Sequence, residues 1–324
     1  MRACLTGASG FLGLALRERL AAQGAEVHCA DVAPTPPWAA RALPPPASER
    51  RLDVTDRAAV ARFLADTRPD LVLHAAAATA DGAREAAGDA ARIAAINIGG
   101  TANVVEAAAA LPSKPRVLAL SSGAVYGKSP DEAEILDEQT TPPTPRILYA
   151  ITKLAAEQTA LRLADIHGVP VCTPRLGIVW GRWEHATGER ATTSPLHQAL
   201  AHLRRGREAL LPLDARLPLI EAGDAAEALL RLAASPATGV VNVGPPEITK
   251  VADLARRLTT DPAHVRLATP GNVALFASER PPFAQARFEA AAGPLPQTPP
   301  EKAAARYLAW LDAIGDDDAV LGPA

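Results

Sequence analysis

The stretch TGASGFLG, residues 6–13, closes a short apolar run, RACLT, and opens a helical one, FLGLALRERLAAQG. Its glycines, Gly7, Gly10 and Gly13, sit at a strand-to-helix junction in the spacing GxxGxxG. A turn without side chains there lets backbone amides face a pyrophosphate, with the positive end of a helix behind them. Gly13 lets the helix lie close on the strand. Taken alone, the triplet could be no more than a glycine-rich turn. The next apolar run adds an acid: Asp31 stands 18 residues after Gly13, where a carboxylate accepts hydrogen bonds from both hydroxyls of a ribose. A 2′-phosphate at that point meets the negative charge, and no arginine follows Gly7 or Asp31 closely enough to offset it. NAD is therefore expected in preference to NADP.

Outward from this turn, short apolar runs alternate with helical stretches. RACLTG, AEVHCAD, DLVLHAAA, PRVLALSS and VPVCTPRLGIV read as strands; the intervening segments carry helical periodicity. Strands apolar at nearly every position are buried on both faces, and helices between them predict a doubly wound parallel α/β sheet. The proline-rich piece 33–49 reads as a surface loop. Past residue 177 the alternation loosens, a helix is expected from about Pro195 to Arg205, and a strand–helix–strand rhythm resumes near residue 217. The division expected is a nucleotide-binding domain over 1–176, to which 219–243 returns, and a smaller substrate-binding lobe from 177–218 and 244–324.

Composition narrows the function classes. The 324 residues carry a formal charge of −3, which offers no basic field to nucleic acid or anionic lipid. No uninterrupted apolar stretch reaches membrane-spanning length. The 3 cysteines, Cys4, Cys29 and Cys172, lie inside apolar runs, an odd set that suits a reducing compartment. The chain enters a strand with no signal-like segment, so a cytoplasmic location is expected. The 7 histidines show no HExxH pattern, and no metal site is expected.

A second motif is RILYAITKLAAEQ, residues 146–158, which places Tyr149 and Lys153 one helical turn apart on a shared face. TGASGFLG, SSGAVYG from 121 and YAITK from 149, in that order, resemble the extended short-chain dehydrogenase/reductase family, also called the NAD-dependent epimerase/dehydratase family. LDVTD (52–56), HAAA (74–77), INIGGTANVVEAA (96–108) and VNVG (241–244) support the resemblance, which runs to about residue 260. It implies a Rossmann sheet and an oxidoreductase or epimerase, with Tyr149 as general acid/base and Lys153 as the cation that stabilises its phenolate and holds the nicotinamide ribose. Ser122 matches the serine that hydrogen-bonds the reacting oxygen, with Ser121 its rival. Ser9, Phe11 and Leu12 would join the three glycines at the cofactor, Asp53 and Val54 would lie by the adenine, and Ala75 and Ala76 would line the cleft. Asn97 matches an asparagine that supports the lysine through water; a helix-interior polar residue is the plainer reading. A homodimer through the two long helices is what the family suggests.

The resemblance also bears on the reaction. Dehydratases of the family carry Asp-Glu after the catalytic Ser/Thr, where this chain has Gly123-Ala124. Hydride transfer at a secondary alcohol or carbonyl of a sugar-like substrate remains, with nucleotide-sugar epimerisation as alternative and a non-catalytic NAD-sensing regulator as a reading of another class. Two phosphate contacts usual for nucleotide sugars are displaced: Gly177 replaces an asparagine, and Leu217 an arginine, with Arg216 one place off. A free sugar, sugar acid or hydroxy acid is therefore preferred. Beyond Gly123, Gly177 and the catalytic residues, substrate contacts are sought in WGRWEHATGER: Trp180 and Trp183 to stack on a sugar, and Arg182, Glu184, His185 and Arg190 as polar groups. A plain surface loop is the competing reading. Arg280, in ERPP, could reach an anion.

Overall fold

Seven strands form one parallel sheet in the computed structural model, which describes residues 1–79, 88–127, 134–187, 193–211, 216–268, 280–314 and 317–322. They are β1 (Arg2–Thr6), β2 (Glu26–Asp31), β3 (Ser48–Arg51), β4 (Leu71–His74), β5 (Arg116–Ala119), β6 (Val171–Leu176) and β7 (Gly239–Val243). Their order is β7-β6-β5-β4-β1-β2-β3, and a short strand, Ser121–Ser122, extends the pairing with β6. The period of two assigns each residue to a face. Ala3 and Leu5 enter one apolar core while Cys4 between them enters another; Leu71 and Leu73 likewise oppose Val72.

Helices cover both faces. α1 (Phe11–Ala22) lies on the first core. α2 (Arg57–Thr67), α3 (Gly100–Ala110) and α4 (Leu148–His167) lie on the second. α5 (Pro195–Leu203), α6 (Ala222–Ala234) and α7 (Pro300–Ile314) join the first core. α2 starts because the Asp56 carboxylate accepts from the Ala59 amide at 2.9 Å, and α4 stops at Gly168, whose φ of 62° an L side chain resists. By length and composition alone the helical run Ala90–Ala110 could cross a membrane. Arg92 and Glu106 interrupt it, it buries Val104, Val105 and Ala108 within the second core, and its Ile93 is buried as well.

Two sequence expectations change. The proline-rich segment 33–49 is not all loop: Pro37–Ala42 is a short helix, its proline at a first-turn position that needs no amide donor, and its Trp38 is buried. Strand β3 begins inside the same segment. Its sequence, SERR, is polar because it is the exposed sheet edge, so no apolar run marks it. Away from the main sheet, short pairings join Ile178–Trp180 to Leu219–Glu221, Ala209–Leu211 to Val265–Leu267, and Arg216–Leu217 to Thr249–Lys250.

Candidate active site

The strand order reverses beside β1, since β2 lies on one side of it and β4 on the other. A crevice opens at the carboxyl ends of strands at such a switch point, and the glycine turn occupies it. Gly7 has φ +72°, and a Cβ there would stand 2.5 Å from the Ala76 nitrogen and 2.7 Å from the Ala75 carbonyl carbon. A Cβ at Gly13 would lie 2.1 Å from the Gly7 oxygen. No side chain fits either point. Gly10 caps α1 without a side-chain acceptor, and no acid stands in the first turn. The end of α1 at Ser9, Gly10, Phe11 and Leu12 thus presents positive potential without a protein counter-charge from its own first turn, which suits a pyrophosphate.

Asp31 ends β2 against this turn. One carboxylate oxygen accepts from the Ser9 amide at 2.9 Å and the other from the Ala33 amide at 3.2 Å. Burial raises its pKa while these amides oppose the rise. A carboxylate has about four acceptor sites, so capacity remains for both hydroxyls of a ribose. Asp53 and Val54 follow β3. The Asp53 carboxylate is turned onto Thr55, accepting from its amide at 2.9 Å and its hydroxyl at 2.8 Å. Val54 is buried against Gly100, where a Cβ would meet it at 2.6 Å.

The second half of the site is built by α4. Lys153 is buried, and its Nζ donates to the Leu120 carbonyl, two residues before Ser122. Burial lowers its pKa from 10.5 to about 8, with the Glu157 carboxylate opposing. Near it, His74 is clamped by the hydroxyls of Thr6 at 2.7 Å and Thr101 at 3.1 Å. Burial, then the Lys153 charge, pushes His74 down to about 3, so it is a neutral core residue. Asn97 lies in a π-helical turn, Ala95–Gly99, ahead of α3. Its amide accepts from the Ala78 nitrogen at 2.8 Å and donates to the Ala78 oxygen and the Thr152 hydroxyl, each at 2.9 Å. It therefore ties the segment after β4 to the residue beside Lys153.

The two serines separate. Ser121 is buried and donates to Glu157 at 2.8 Å. Ser122 is half-buried, its oxygen accepting from the Ala124 amide at 3.1 Å. Tyr149 is half-buried one turn before Lys153. Arg280 is largely out of water: desolvation lowers its pKa, and the Tyr149 charge opposes the fall.

A buried group behind Lys153 went unread in the sequence. Arg175 on β6 grips Glu157 with two hydrogen bonds, 2.7 and 3.0 Å, and stacks 4.7 Å above the Tyr126 ring, whose hydroxyl donates to Asn242 at 2.8 Å. An acid one turn past Lys153, and an arginine inside an otherwise apolar strand, were the available signals.

The proposed substrate loop is placed elsewhere. Trp180 and Trp183 are buried, and Trp183 stacks on Trp38 at 6.1 Å and meets Trp310 edge-on at 5.5 Å. Trp180 meets Tyr307, and His185 meets Trp38 at 5.2 Å. Arg182 pairs with Glu18 of α1, which also accepts from the Trp183 indole at 3.0 Å. Glu184 is buried and caps α5 through Ser194, accepting from its amide at 2.6 Å and its hydroxyl at 2.7 Å. Trp180 and His185, expected at the substrate, are thus buried beside α1 and α7, on the face opposite α4, while Arg182 is half-buried and committed to Glu18. Arg190 lies outside the described residues. Gly123 and Gly177 border the ring of Phe283. Leu217 is fully buried, while Arg216 is exposed and its carbonyl accepts from the Arg280 amide at 3.3 Å. Among the described residues no cluster of metal-ligating side chains occurs.

Known proteins resemble this arrangement. A dTDP-L-rhamnose 4-epimerase of Burkholderia thailandensis is 27% identical over 292 residues, covering 78% of each chain. A GDP-6-deoxy-D-mannose reductase of Pseudomonas aeruginosa is 30% identical over 282 residues, covering 82% of this chain and 85% of the relative. The solved Bordetella bronchiseptica enzyme WbmG, in complex with NAD and UDP, is 27% identical with a TM-score of 0.75, covering 97% of this chain and 94% of that one. The family model for the NAD dependent epimerase/dehydratase family matches residues 3–244, a span that runs from β1 through the end of β7 and takes in the glycine turn, Tyr149 and Lys153. The chain belongs to that family of extended short-chain dehydrogenase enzymes, with NAD as cofactor.

Proposed function

We propose that the protein oxidises or reduces a secondary carbinol carbon of a nucleotide sugar, with Tyr149 as the general acid/base. The observation that carries this is the placement of Tyr149 one turn before a buried Lys153 whose amine is fastened to the Leu120 carbonyl, next to Ser122. NAD supplies a hydride acceptor and donor when bound at the Gly7–Gly13 turn, with Asp31 on its ribose. In the oxidative direction the substrate hydroxyl gives its proton to the Tyr149 phenolate as the C–H bond is broken and the carbonyl forms. A free tyrosine titrates near about 10. The Lys153 ammonium stabilises the phenolate, and in a site away from water a cation beside it is worth about two pKa units. The Ser122 hydroxyl donates to the reacting oxygen; Ser121, committed to Glu157, does not. Asn97 holds the helix pair in register through Thr152.

A nucleotide sugar is preferred to the free sugar suggested by Gly177 and Leu217. Arg280 lies largely out of water, and its backbone amide donates to the Arg216 carbonyl at 3.3 Å, so a desolvated guanidinium is available to neutralise a diphosphate. The curated relatives are named for nucleotide-sugar substrates. Dehydration is disfavoured, because a Cβ at residue 123 would strike the Phe283 ring at 2.4 Å and leaves no room for an added acid. The lobe formed by 177–218 and 244–324 covers the substrate. Ile151 and Ile166, exposed along α4, and Ile147 at its cap would be covered in a homodimer. Three buried thiols suit the cytoplasm.

The test incubates the protein with UDP-, dTDP- and GDP-sugars and the matching free sugars, following NADH and sugar stereochemistry. Accumulating NADH supports net oxidation; a new epimer without it supports epimerisation with retained NAD. Turnover of free sugars alone would overturn the nucleotide-sugar reading.

A further inference from the structure

Residues 280–285 form a strap across the carboxyl ends of β6 and β7. The Leu136 amide donates to the Pro282 oxygen at 2.8 Å, and the Ala284 amide returns to the Leu136 oxygen at 2.9 Å. The Phe283 amide reaches the Pro245 oxygen at 3.2 Å, and the Gln285 side chain donates its Nε2 to the Gly244 carbonyl. Between these ties the Phe283 ring is 1% exposed.

The ring fills space that two glycines leave empty. A Cβ at Gly123 would lie 2.4 Å from its Cζ, and a Cβ at Gly244 would lie 2.7 Å from its Cδ2. Contacts that short do not occur in packed interiors. The ring also meets Tyr126 edge-on at 6.2 Å, and Tyr126 in turn underlies Arg175. Pro281 and Pro282 precede the ring, and their fixed φ makes the link back to Arg280 stiff. We propose that Phe283 is a positioning residue for substrate binding: seated against residue 123, next to Ser122, and against residue 244, where neither carries a side chain, it fixes the strap and so holds Arg280, tied through its amide to the Arg216 carbonyl, where the guanidinium receives the acidic part of the substrate. The inference rests on the nucleotide-sugar reading above. It assigns Gly123 and Gly244 to the socket, not to substrate contact.

The experiment measures binding calorimetrically for NAD and for whichever of UDP, dTDP and GDP the wild type binds most tightly. Phe283→Ala is expected to weaken the nucleoside diphosphate about tenfold, the loss of one charge-assisted contact, with NAD affinity within about twofold. Gly123→Ala drives the ring out and should give the same loss. Because the added methyl then meets only the Leu176 carbonyl oxygen, at 3.2 Å, Gly123→Ala/Phe283→Ala should be close to Phe283→Ala and well short of the summed losses. Phe283→Leu, which refills part of the socket, should recover part of the affinity and report on folding. Additive losses, or equal losses for NAD and diphosphate in Phe283→Leu, would overturn the proposal. Arg280→Ala distinguishes the two levels. Diphosphate affinity lost there but kept in Phe283→Ala overturns the anchoring alone. Affinity kept in both, or no diphosphate bound by the wild type, overturns the substrate reading with it.

Discussion

Lys153 is an ammonium group held out of water by its own fold, and that placement has a measurable signature. Its folded pKa is lowered to about 8 from 10.5. Below about pH 8 both folded and unfolded chains hold the proton and the cost is constant; between 8 and 10.5 only the unfolded chain does, so stability from this group rises with pH. Thermal melts of the NAD-free protein should therefore gain stability over that window relative to Lys153→Met, and parallel melting curves would contradict the buried charge. Tyr149→Phe should lower kcat by about 10²- to 10⁴-fold, the usual share of a general acid/base, with NAD binding retained. Activity near the wild-type level would remove Tyr149 from the mechanism. Asp31→Ala deletes the acceptor for the ribose and the repulsion of a 2′-phosphate together. Fluorescence titration is expected to show NAD weakened about tenfold and the preference over NADP reduced. These residues were legible because tyrosine, lysine and aspartate were each paired with a local geometry. Ser122 was preferred only by resemblance, with Ser121 its rival; adjacent strand residues point to opposite faces, and the packing of Glu157 commits Ser121 to the buried one.

At the scale of elements, α1 depends on two close approaches. Gly13→Ala places a methyl 2.1 Å from the Gly7 oxygen, and such overpacking against backbone costs about 1–3 kcal/mol. Urea unfolding should show that loss together with loss of NAD binding, because the same contact shapes the turn. The glycine pattern could be read in advance because a turn is a local object. The segment 180–185 could not. Whether Trp183 faces a sugar or faces Trp38 and Trp310 depends on residues about 130 or more positions away, and periodicity carries no such information. β3 was hidden for a different reason: a polar edge strand has no apolar signature to find.

For the whole molecule, the aromatic cluster joins the far ends of the chain to the sheet. Trp38 from the segment after β2, Trp183 from the loop after β6, and Trp310 with Tyr307 from α7 pack on one another. Trp183→Ala is expected to lower unfolding free energy by about 3–5 kcal/mol while leaving KM for the substrate within about twofold of wild type. A large rise in KM without destabilisation would restore the loop to the substrate site. A second tie acts over the same distance: Asp224 at the start of α6 accepts from the Thr298 hydroxyl at 2.9 Å and from its amide, fastening the approach to α7.

The sequence by itself determined what depends on local backbone geometry and period. Those features are the strand–helix alternation, the glycine turn at 7–13, the acid at the end of β2, and the shared face of Tyr149 and Lys153. Only the tertiary structure decided where side chains from distant segments meet. It turned Trp180 and Trp183 into core, set Ser121 on Glu157, tied the backbone of Arg280 to Arg216, and filled the space beside Gly123 with Phe283. The reason is physical. A helix or turn is specified by neighbours a few residues apart, whereas a packed cleft is specified by which surfaces exclude water together.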